Sequence, residues 1–281
     1  AALDMAIGPY KGKNTGETAL FRQLWRSVFP GDVIVGDRYY APSWDLALLA
    51  MCGVDSVYRQ HHLRLGERYR VRQLGEHDWL LRLPKLQRPK WMDEGVYDLL
   101  PDMLEVREIH YRVQVRGWRV RELTIVTTLC DAHKFPAEEL ARVYRARWQA
   151  EVDLRTIKTT MQMDVLRCKT PEMVRKEIWM HLLAYNLIRT VMAEAATKVD
   201  AAPRTISFKG AWQTLGAYRS LVERSNAHEL PAIYDSLLSA IASHRVGNRP
   251  NRYEPRAIKR RPKPHDLLTV PRQEAKRRLA A

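Results

Sequence analysis

The sequence lacks the features that mark secreted, disulfide-bonded and membrane proteins. It has three cysteines in 281 residues, Cys52, Cys130 and Cys168, which are far apart and odd in number. This pattern indicates neither a disulfide framework nor a cysteine zinc site, so we expect reduced and mostly buried thiols. The chain has no run of 18 or more apolar residues, and its first ten residues do not resemble a signal peptide. We therefore expect a cytoplasmic protein with no membrane partner.

Sequence motifs of two common classes of hydrolase are also missing. The loop GPYKGKNTG does not match a nucleotide-binding P-loop, because Gly8 and Gly12 are too close together and Asn14 stands where Ser or Thr is needed. The chain contains no G-x-S-x-G motif of the kind that carries a serine nucleophile. Nucleotide hydrolysis and acyl transfer are therefore disfavoured.

The chain has instead a large excess of positive charge. Its 47 Lys and Arg outnumber 32 Asp and Glu, for a formal net charge of +15. Such a charge attracts a polyanion and makes binding to it salt-dependent, although a ribosomal or membrane surface fits the same charge. The basic, proline-rich residues 245–281 cannot form one continuous helix, and either an extended arm along phosphates or a solvated tail fits them.

Hydrophobic periodicity divides the chain into an α/β first part, a β-rich middle and a helical end. The short apolar run Val33–Val35 predicts a buried strand that ends before Asp37, and period-two alternation predicts strands within residues 61–129. The predicted helices are Glu17–Val28, Pro42–Met51, Ala137–Met161, Pro171–Lys198, Phe208–Ser225 and Leu230–Ser243.

The most informative segment is YRARWQAEVDLRTIK, which begins at Tyr144. Arg147, Glu151 and Lys158 follow Tyr144 at offsets of three, seven and fourteen residues. At about 100° per residue, all four side chains fall within an arc of roughly 60° on one helix face. A carboxylate is thus aligned with a phenol and two cations. A solvated face with ordinary ion pairs is the alternative interpretation.

A second stripe on the same predicted helix is apolar. It lies roughly 90° around the helix from the first stripe, at spacings of three and four residues. We therefore expect Glu151 to sit at the rim of a buried seam. The members of this stripe are Val143, Ala146, Ala150, Leu154, Ile157 and Met161.

The spacing of Tyr144, Arg147, Glu151 and Lys158 resembles the signature of the DDE transposases of the insertion-sequence-four family. The segments GDRYY and DVLRCKTPEMVRKEIWMHLLAYNLIR also look like that family, so the resemblance spans most of the chain. It implies an RNase H-like α/β core, interrupted by a β-rich insertion before its catalytic helix. It also implies a DNA substrate, a dimeric synaptic complex and a nucleoid-associated prokaryotic protein.

The resemblance further implies roles for individual residues. Asp37 and Glu151 match two of the three carboxylates that hold two Mg²⁺ ions, with Mn²⁺ as an alternative, although capping of the turn at 38–40 is an equal structural explanation for Asp37. The remaining signature residues would contact DNA phosphates. Further candidate DNA contacts, from their positions in the sequence, are Arg155, Trp148 beside the signature residues and Trp118 at a predicted hairpin turn.

The first carboxylate of the family signature has no counterpart here. Asp4 and Asp32 are the only aspartates before Asp37. Asp32 begins its predicted strand roughly 16 Å of extended chain from Asp37, and the resemblance places Asp4 on a different strand. We therefore expect a partial core without its first two strands and with an exposed sheet edge, and catalysis by this chain stays open.

These observations together predict part of a DNA transposase that cuts and joins transposon ends by two-metal phosphodiester chemistry. A catalytically inactive DNA-binding remnant and a stand-alone RNase H-like nuclease are the alternatives. The expected partners are double-stranded DNA and a second copy of the chain. The expected divisions are residues 1–60 and 130–198 for the core, 61–129 for the insertion, 199–244 for C-terminal helices and 245–281 for the tail.

Overall fold

A computed structural model describes residues 1–9, 12, 15–40, 42–60, 66–112, 122–247 and 270–280. The strands in this part of the chain are β1 Val33–Gly36, β2 Asp55–Arg59, β3 Arg70–Gly75, β4 Asp78–Pro84, β5 Met103–Arg112 and β6 Glu122–Thr127. The α-helices are α1 Glu17–Gln23, α2 Ser43–Met51, α3 Glu94–Asp98, α4 Ala137–Ala146, α5 Trp148–Arg155, α6 Pro171–Thr197, α7 Phe208–Arg224, α8 Leu230–Ser243 and α9 Arg272–Ala280.

The described strands form one mixed sheet in the order β1-β2-β6-β5-β4-β3. Strands β1 and β2 are parallel, with Gly36 opposite Tyr58, and α2 connects them. The remaining neighbours are antiparallel, so the β-rich middle of the chain extends the same sheet from β2 outwards. This mixed sheet with helices confirms the α/β class and is consistent with an RNase H-like domain.

Helices α2 and α4 both pack on this sheet. Leu46 of α2 is buried against Tyr58 and Val106, and α4 packs against β1, β2 and β5. Arg107 follows Val106 on β5, so its side chain points to the opposite face of the sheet. There its Nη1 donates a hydrogen bond of 2.6 Å to the carbonyl of Phe135, just before α4. The base of α4 is therefore tied to the sheet.

Buried Arg107 is neutralised by Asp78 of the adjacent strand β4. Its Nε and Nη2 donate to the two carboxylate oxygens at 2.8 and 2.5 Å. Both side chains are at least 94% buried, because the exposed fractions are 1% and 6%. Two-pronged pairing of this kind is what a buried guanidinium needs to offset its lost hydration.

The C-terminal helices build a separate hydrophobic core. Helices α6, α7 and α8 pack on one another. The centre of this core includes Met192, Ala195, Ala211 and Ile241, each at most 1% exposed. Ile157 and Met161, which follow α5, are buried in the same cluster. This core therefore joins the segment after α5 to the helical end of the chain.

The predicted continuous helix Ala137–Met161 is wrong in detail. Helix α4 ends at Ala146, and α5 begins at Trp148 after a single turn residue, Arg147. Residues Thr156–Thr160 then form a π-helical segment. A π-helix turns less per residue than an α-helix, so uniform rotation of 100° per residue does not extend to Lys158.

The predicted apolar seam is also wrong over most of its length. Val143 and Leu154 are 40% and 53% exposed, and only its last two members, Ile157 and Met161, are buried. Helix α4 instead buries Leu140, Ala141 and Tyr144. The physical reason is that the sheet, which helix periodicity cannot locate, lies on the Tyr144 side of the helix. The signature face itself therefore begins inside the core.

Several other expectations have clear outcomes. Cys52 is exposed, and Cys130 and Cys168 are partly buried, so the expectation of mostly buried thiols is wrong.

Among the helices that the structure describes, none is long and apolar enough to cross a bilayer. Residues 248–269 of the basic tail lie outside the described residues, and α9 belongs to a second compact unit.

Candidate active site

Two charged residues lie at the carboxyl ends of the parallel strands. Asp37 follows the last residue of β1, and Arg59 is the last residue of β2. Since Gly36 pairs with Tyr58, Asp37 and Arg59 occupy adjacent positions at the same edge of the sheet. In α/β sheets, this edge is the usual place for ligands. Asp37 therefore lies just after the end of a strand, as the sequence predicts.

Tyr144 brings α4 to this edge. Its side chain is 7% exposed, and burial raises the pKa of its phenol. The charges of Arg147 and Arg59 oppose the shift, and the carboxylate of Asp37 adds to it. Tyr144 thus lies within electrostatic range of both strand-end residues, which places the start of the signature face beside Asp37.

Arg147 links Tyr144 to Glu151. Its Nη2 donates to Oε1 of Glu151 at 2.7 Å, and its guanidinium carbon lies 5.7 Å from the centre of the Tyr144 ring. Burial alone would lower the pKa of Arg147, but the hydrogen bond to Glu151 and the nearby charge of Asp37 raise it overall. Both carboxylates therefore act on the same guanidinium.

Glu151 and Arg147 both retain capacity for a further partner. The Glu151 side chain is 41% exposed. Within the described residues, Nε of Arg147 is buried without a hydrogen-bond partner. An unsatisfied buried donor is costly, so the Arg147–Glu151 pair alone does not complete this polar centre.

The other predicted DNA contacts that the structure describes are exposed side chains. Trp148 is 47% exposed, and Arg155 and Lys158 are exposed on α5 and in the π-helical segment. These side chains are accessible to a polyanion. Trp118 lies outside the described residues.

The aspartates that precede Asp37 have other partners. Asp4 accepts hydrogen bonds from Nε and Nη2 of Arg26 at 2.9 and 3.0 Å and from the Ser27 hydroxyl at 2.6 Å. The Arg26 and Ser27 bonds hold the pKa of Asp4 well below its usual value. Asp32 accepts from the backbone N–H of Phe29 at the start of β1. Residues 1–9 form no strand, so the strand that the resemblance implies for Asp4 is not present, and Asp4 is instead paired with Arg26.

Asp37 also makes the local contact that its alternative interpretation predicts. Its Oδ1 accepts from the backbone N–H of Arg38 at 2.7 Å, and its carbonyl accepts from the N–H of Tyr40. One carboxylate oxygen therefore stabilises the turn after β1. Among the described residues, Oδ2 has no hydrogen-bonded partner, so the turn does not exhaust the carboxylate.

The donor set fits a hard divalent cation in chemistry and is incomplete in number. Asp37 and Glu151 offer carboxylate oxygens, the ligands that Mg²⁺ prefers. Within the described ranges, no group of three or more His, Cys, Asp or Glu side chains converges in a way that could hold a metal ion. Asp37 and Glu151 are therefore carboxylates of the right chemical type that do not by themselves make a metal site in the described part of the chain.

Sequence reasoning did not identify two residues of this region. Arg59 could have been found from the rule that neighbouring parallel strands end at the same edge of a sheet. Asp153, on α5, accepts from Arg189 and Arg204. No sequence signal could have found these partners, because they follow 36 and 51 residues later.

Comparison with known proteins gives the same assignment as the signature spacing. Residues 5–187 match the family described as "Transposase DDE domain". The chain is 30% identical over 254 residues to Transposase InsG for insertion sequence element IS4 of Escherichia coli (strain K12), a match that covers 88% of this chain and 54% of InsG. It thus spans about half the length of this relative.

Shorter matches point in the same direction. Over 81 residues the chain is 32% identical to Putative transposase InsL for insertion sequence element IS186A of Escherichia coli (strain K12), and equally to Transposase for insertion sequence element IS421 of Escherichia coli. These matches cover 29% of this chain and 21% of each relative. By its family match and its similarity to InsG, the chain belongs to the DDE transposases of the insertion-sequence-four family.

Proposed function

We propose that this chain supplies two carboxylates, Asp37 and Glu151, to the phosphodiester cleavage and strand-transfer site of a cut-and-paste DNA transposase. The substrate is double-stranded DNA at the ends of an insertion sequence. The observation that carries the proposal is the convergence of Asp37, at the carboxyl end of β1, with Tyr144 and Arg147 on the helix segment that leads to Glu151.

The two carboxylates would hold divalent cations, with Mg²⁺ as the natural ion and Mn²⁺ as a substitute. When bound, a pair of such ions activates the attacking oxygen and stabilises the leaving oxygen of an in-line phosphoryl displacement. Glu151 has an exposed carboxylate for this purpose. Asp37 retains one oxygen beyond its contact to the Arg38 backbone.

The cationic and aromatic side chains would position the DNA strand. Arg59 and Arg147 both lie within electrostatic range of Tyr144, and Arg147 is also within range of Asp37 and Glu151. Guanidinium groups bind phosphate through paired hydrogen bonds, and the buried Nε of Arg147 still lacks a partner among the described residues. Arg155 and Lys158 are exposed and suited to backbone contacts farther along the strand, and exposed Trp148 can stack on an unpaired base.

The test uses a polypeptide that contains this chain and spans the full length of its relatives, with DNA from the ends of its own insertion sequence. We expect metal-dependent cleavage and joined products, and we expect Glu151→Gln to reduce both at least 10³-fold, roughly 4 kcal/mol of barrier. Asp235→Asn, which removes a surface carboxylate from α8, serves as the matched control. Normal cleavage by Glu151→Gln would refute the assignment.

A catalytically inactive DNA-binding remnant is the second candidate function. The observation in its favour is that, among the described residues, no group of three or more His, Cys, Asp or Glu side chains could hold a metal ion. It predicts that the 281-residue chain binds DNA with a strong salt dependence and shows no metal-dependent cleavage. Cleavage without joined products would instead indicate a stand-alone nuclease.

A further inference from the structure

Helix α5 carries Glu151 and yet is poorly anchored by hydrophobic packing. None of its eight residues, all of which the structure describes, is fully buried. The turn residue Arg147 precedes it, and the π-helical segment Thr156–Thr160 follows it. The nearest fully buried residues, Tyr144 and Ile157, lie outside the bounds of α5, so packing within α5 itself contributes little to its orientation.

A polar cluster on the far side of α5 provides an anchor. Oδ1 of Asp153 accepts from Nη2 of Arg189 at 2.7 Å and from Nη1 of Arg204 at 3.2 Å. Its Oδ2 accepts from Nη2 of Arg204 at 2.8 Å. One carboxylate thus joins α5 to α6 and to the short turn Pro203–Thr205. Because the Asp153 side chain is 17% exposed, these bonds are partly shielded from water.

Arg189 is itself held in place by the C-terminal core. Its Nε donates to the Tyr185 hydroxyl at 3.0 Å, and its guanidinium carbon lies 5.3 Å from the ring centres of both Tyr185 and Phe208. These two rings stack on each other and belong to the hydrophobic cluster of α6, α7 and α8. A guanidinium fixed by two rings and a hydroxyl is a pre-organised partner for Asp153.

The positions of Asp153 and Glu151 on α5 couple the anchor to the site. Two residues apart on a helix, they point in directions about 200° apart. Glu151 therefore faces Arg147 while Asp153 faces α6. A rotation of α5 by about 20° would move a carboxylate roughly 6 Å from the helix axis by about 2 Å. Metal ligands must be held within about 0.5 Å of their productive position. A small rotation of α5 after loss of the Asp153 contacts would therefore move Glu151 out of that range.

We propose that Asp153, Arg189 and Arg204 form a clamp that sets the orientation of α5 and so positions Glu151 for metal binding. Asp153 is a positioning residue that acts through Glu151 and touches no reacting atom. The inference rests on the proposed role of Glu151 as a metal ligand. Interactions that orient metal ligands from the second layer of a site are typically worth about 10-fold to 100-fold in metal affinity.

The test combines Mn²⁺ titration with amide hydrogen exchange on the 281-residue chain. Asp153→Asn keeps the shape of the side chain and removes the charge that both arginines need. We expect it to weaken Mn²⁺ binding about 10-fold when Glu151 is present and to have no effect in the Glu151→Gln background. We also expect faster exchange in residues 148–155 and unchanged exchange in α4.

Two controls separate positioning from general destabilisation. Asp235→Asn removes the carboxylate that pairs with Lys198 in the same helical region, and we expect it to change neither readout. Arg204→Gln removes the charge of a half-exposed clamp residue, so we expect this variant to fold even if Asp153→Asn does not. We expect Arg204→Gln to reproduce both effects with smaller size.

The possible outcomes separate this inference from the proposed function. Mn²⁺ affinity that Glu151→Gln leaves unchanged would refute the proposed role of Glu151. Unchanged exchange in α5, or an Asp153→Asn effect on Mn²⁺ that persists in the Glu151→Gln background, would refute the clamp.

Discussion

Helices α4 and α5 are consecutive pieces of one sequence signature, and they are held by different forces. Helix α4 buries Leu140, Ala141 and Tyr144 on the sheet, whereas α5 has no fully buried residue among its eight. The polar contacts of α5 run through Glu151 to Arg147 and through Asp153 to α6. The fold thus combines a helix packed on the sheet with a more exposed helix that carries the Glu151 carboxylate.

The largest expected effect concerns the buried ion pair at the base of α4. Asp78→Ala leaves Arg107 buried without its carboxylate, and we expect unfolding free energy to fall by about 3–5 kcal/mol. Glu105→Ala breaks the exposed pair with Arg82 on the same two strands and should change it by less than about 1 kcal/mol. Urea denaturation of both variants measures the contrast. Equal losses would mean that burial does not distinguish the two pairs.

The hydrophobic contrast between α4 and α5 is the next largest. Leu140 is 4% exposed and Leu154 is 53% exposed. We expect Leu140→Ala to cost about 2–5 kcal/mol of unfolding free energy through lost burial and a cavity. Leu154→Ala should stay within about 0.5 kcal/mol. A comparable loss of unfolding free energy for Leu154→Ala would contradict the exposed position of Leu154.

Acid should loosen α5 through Asp153. Burial opposes its ionisation, but the hydrogen bond from Arg204 and the charges of Arg189 and Arg204 hold its pKa below the usual 3.8. A lowered folded-state pKa stabilises the fold above the unfolded-state value, and the stabilisation disappears as pH falls through the folded-state value. We therefore expect the difference in unfolding free energy between wild type and Asp153→Asn to be complete at neutral pH and to shrink below pH 3.8. A difference in unfolding free energy that grows as the pH falls would mean that the pKa of Asp153 is raised on folding.

The smallest effect concerns DNA affinity. Arg155 and Lys158 are exposed, so their replacement should leave stability nearly unchanged. If each contacts one phosphate, Arg155→Gln and Lys158→Gln should each reduce the slope of log affinity against log salt by about 1. Fluorescence anisotropy with duplex DNA at several salt concentrations measures this slope. Glu138→Gln, at the far end of α4, provides a matched exposed control, and an equal change in its slope would contradict specific contacts.

The sequence alone determined much of the local structure. Val33–Gly36, Ser43–Met51 and Leu230–Ser243 form the strand and helices that periodicity predicts, within one residue at either end. Local patterns suffice there because the apolar period, the turn residues and the helix starts all agree. The spacing of Tyr144, Arg147, Glu151 and Lys158 likewise resembled the family signature, because intervals between residues are visible in the sequence without the fold.

Only the tertiary structure decided which side of that helix faces the core. The apolar stripe from Val143 to Leu154 predicted one side, and the sheet buried Tyr144 on the other. The π-helical segment also removed the uniform rotation on which the position of Lys158 depended. Arg59 and the arginines that hold Asp153 come from distant parts of the chain. Sequence periodicity records the direction of a side chain along one element, whereas its partners depend on how separate elements pack.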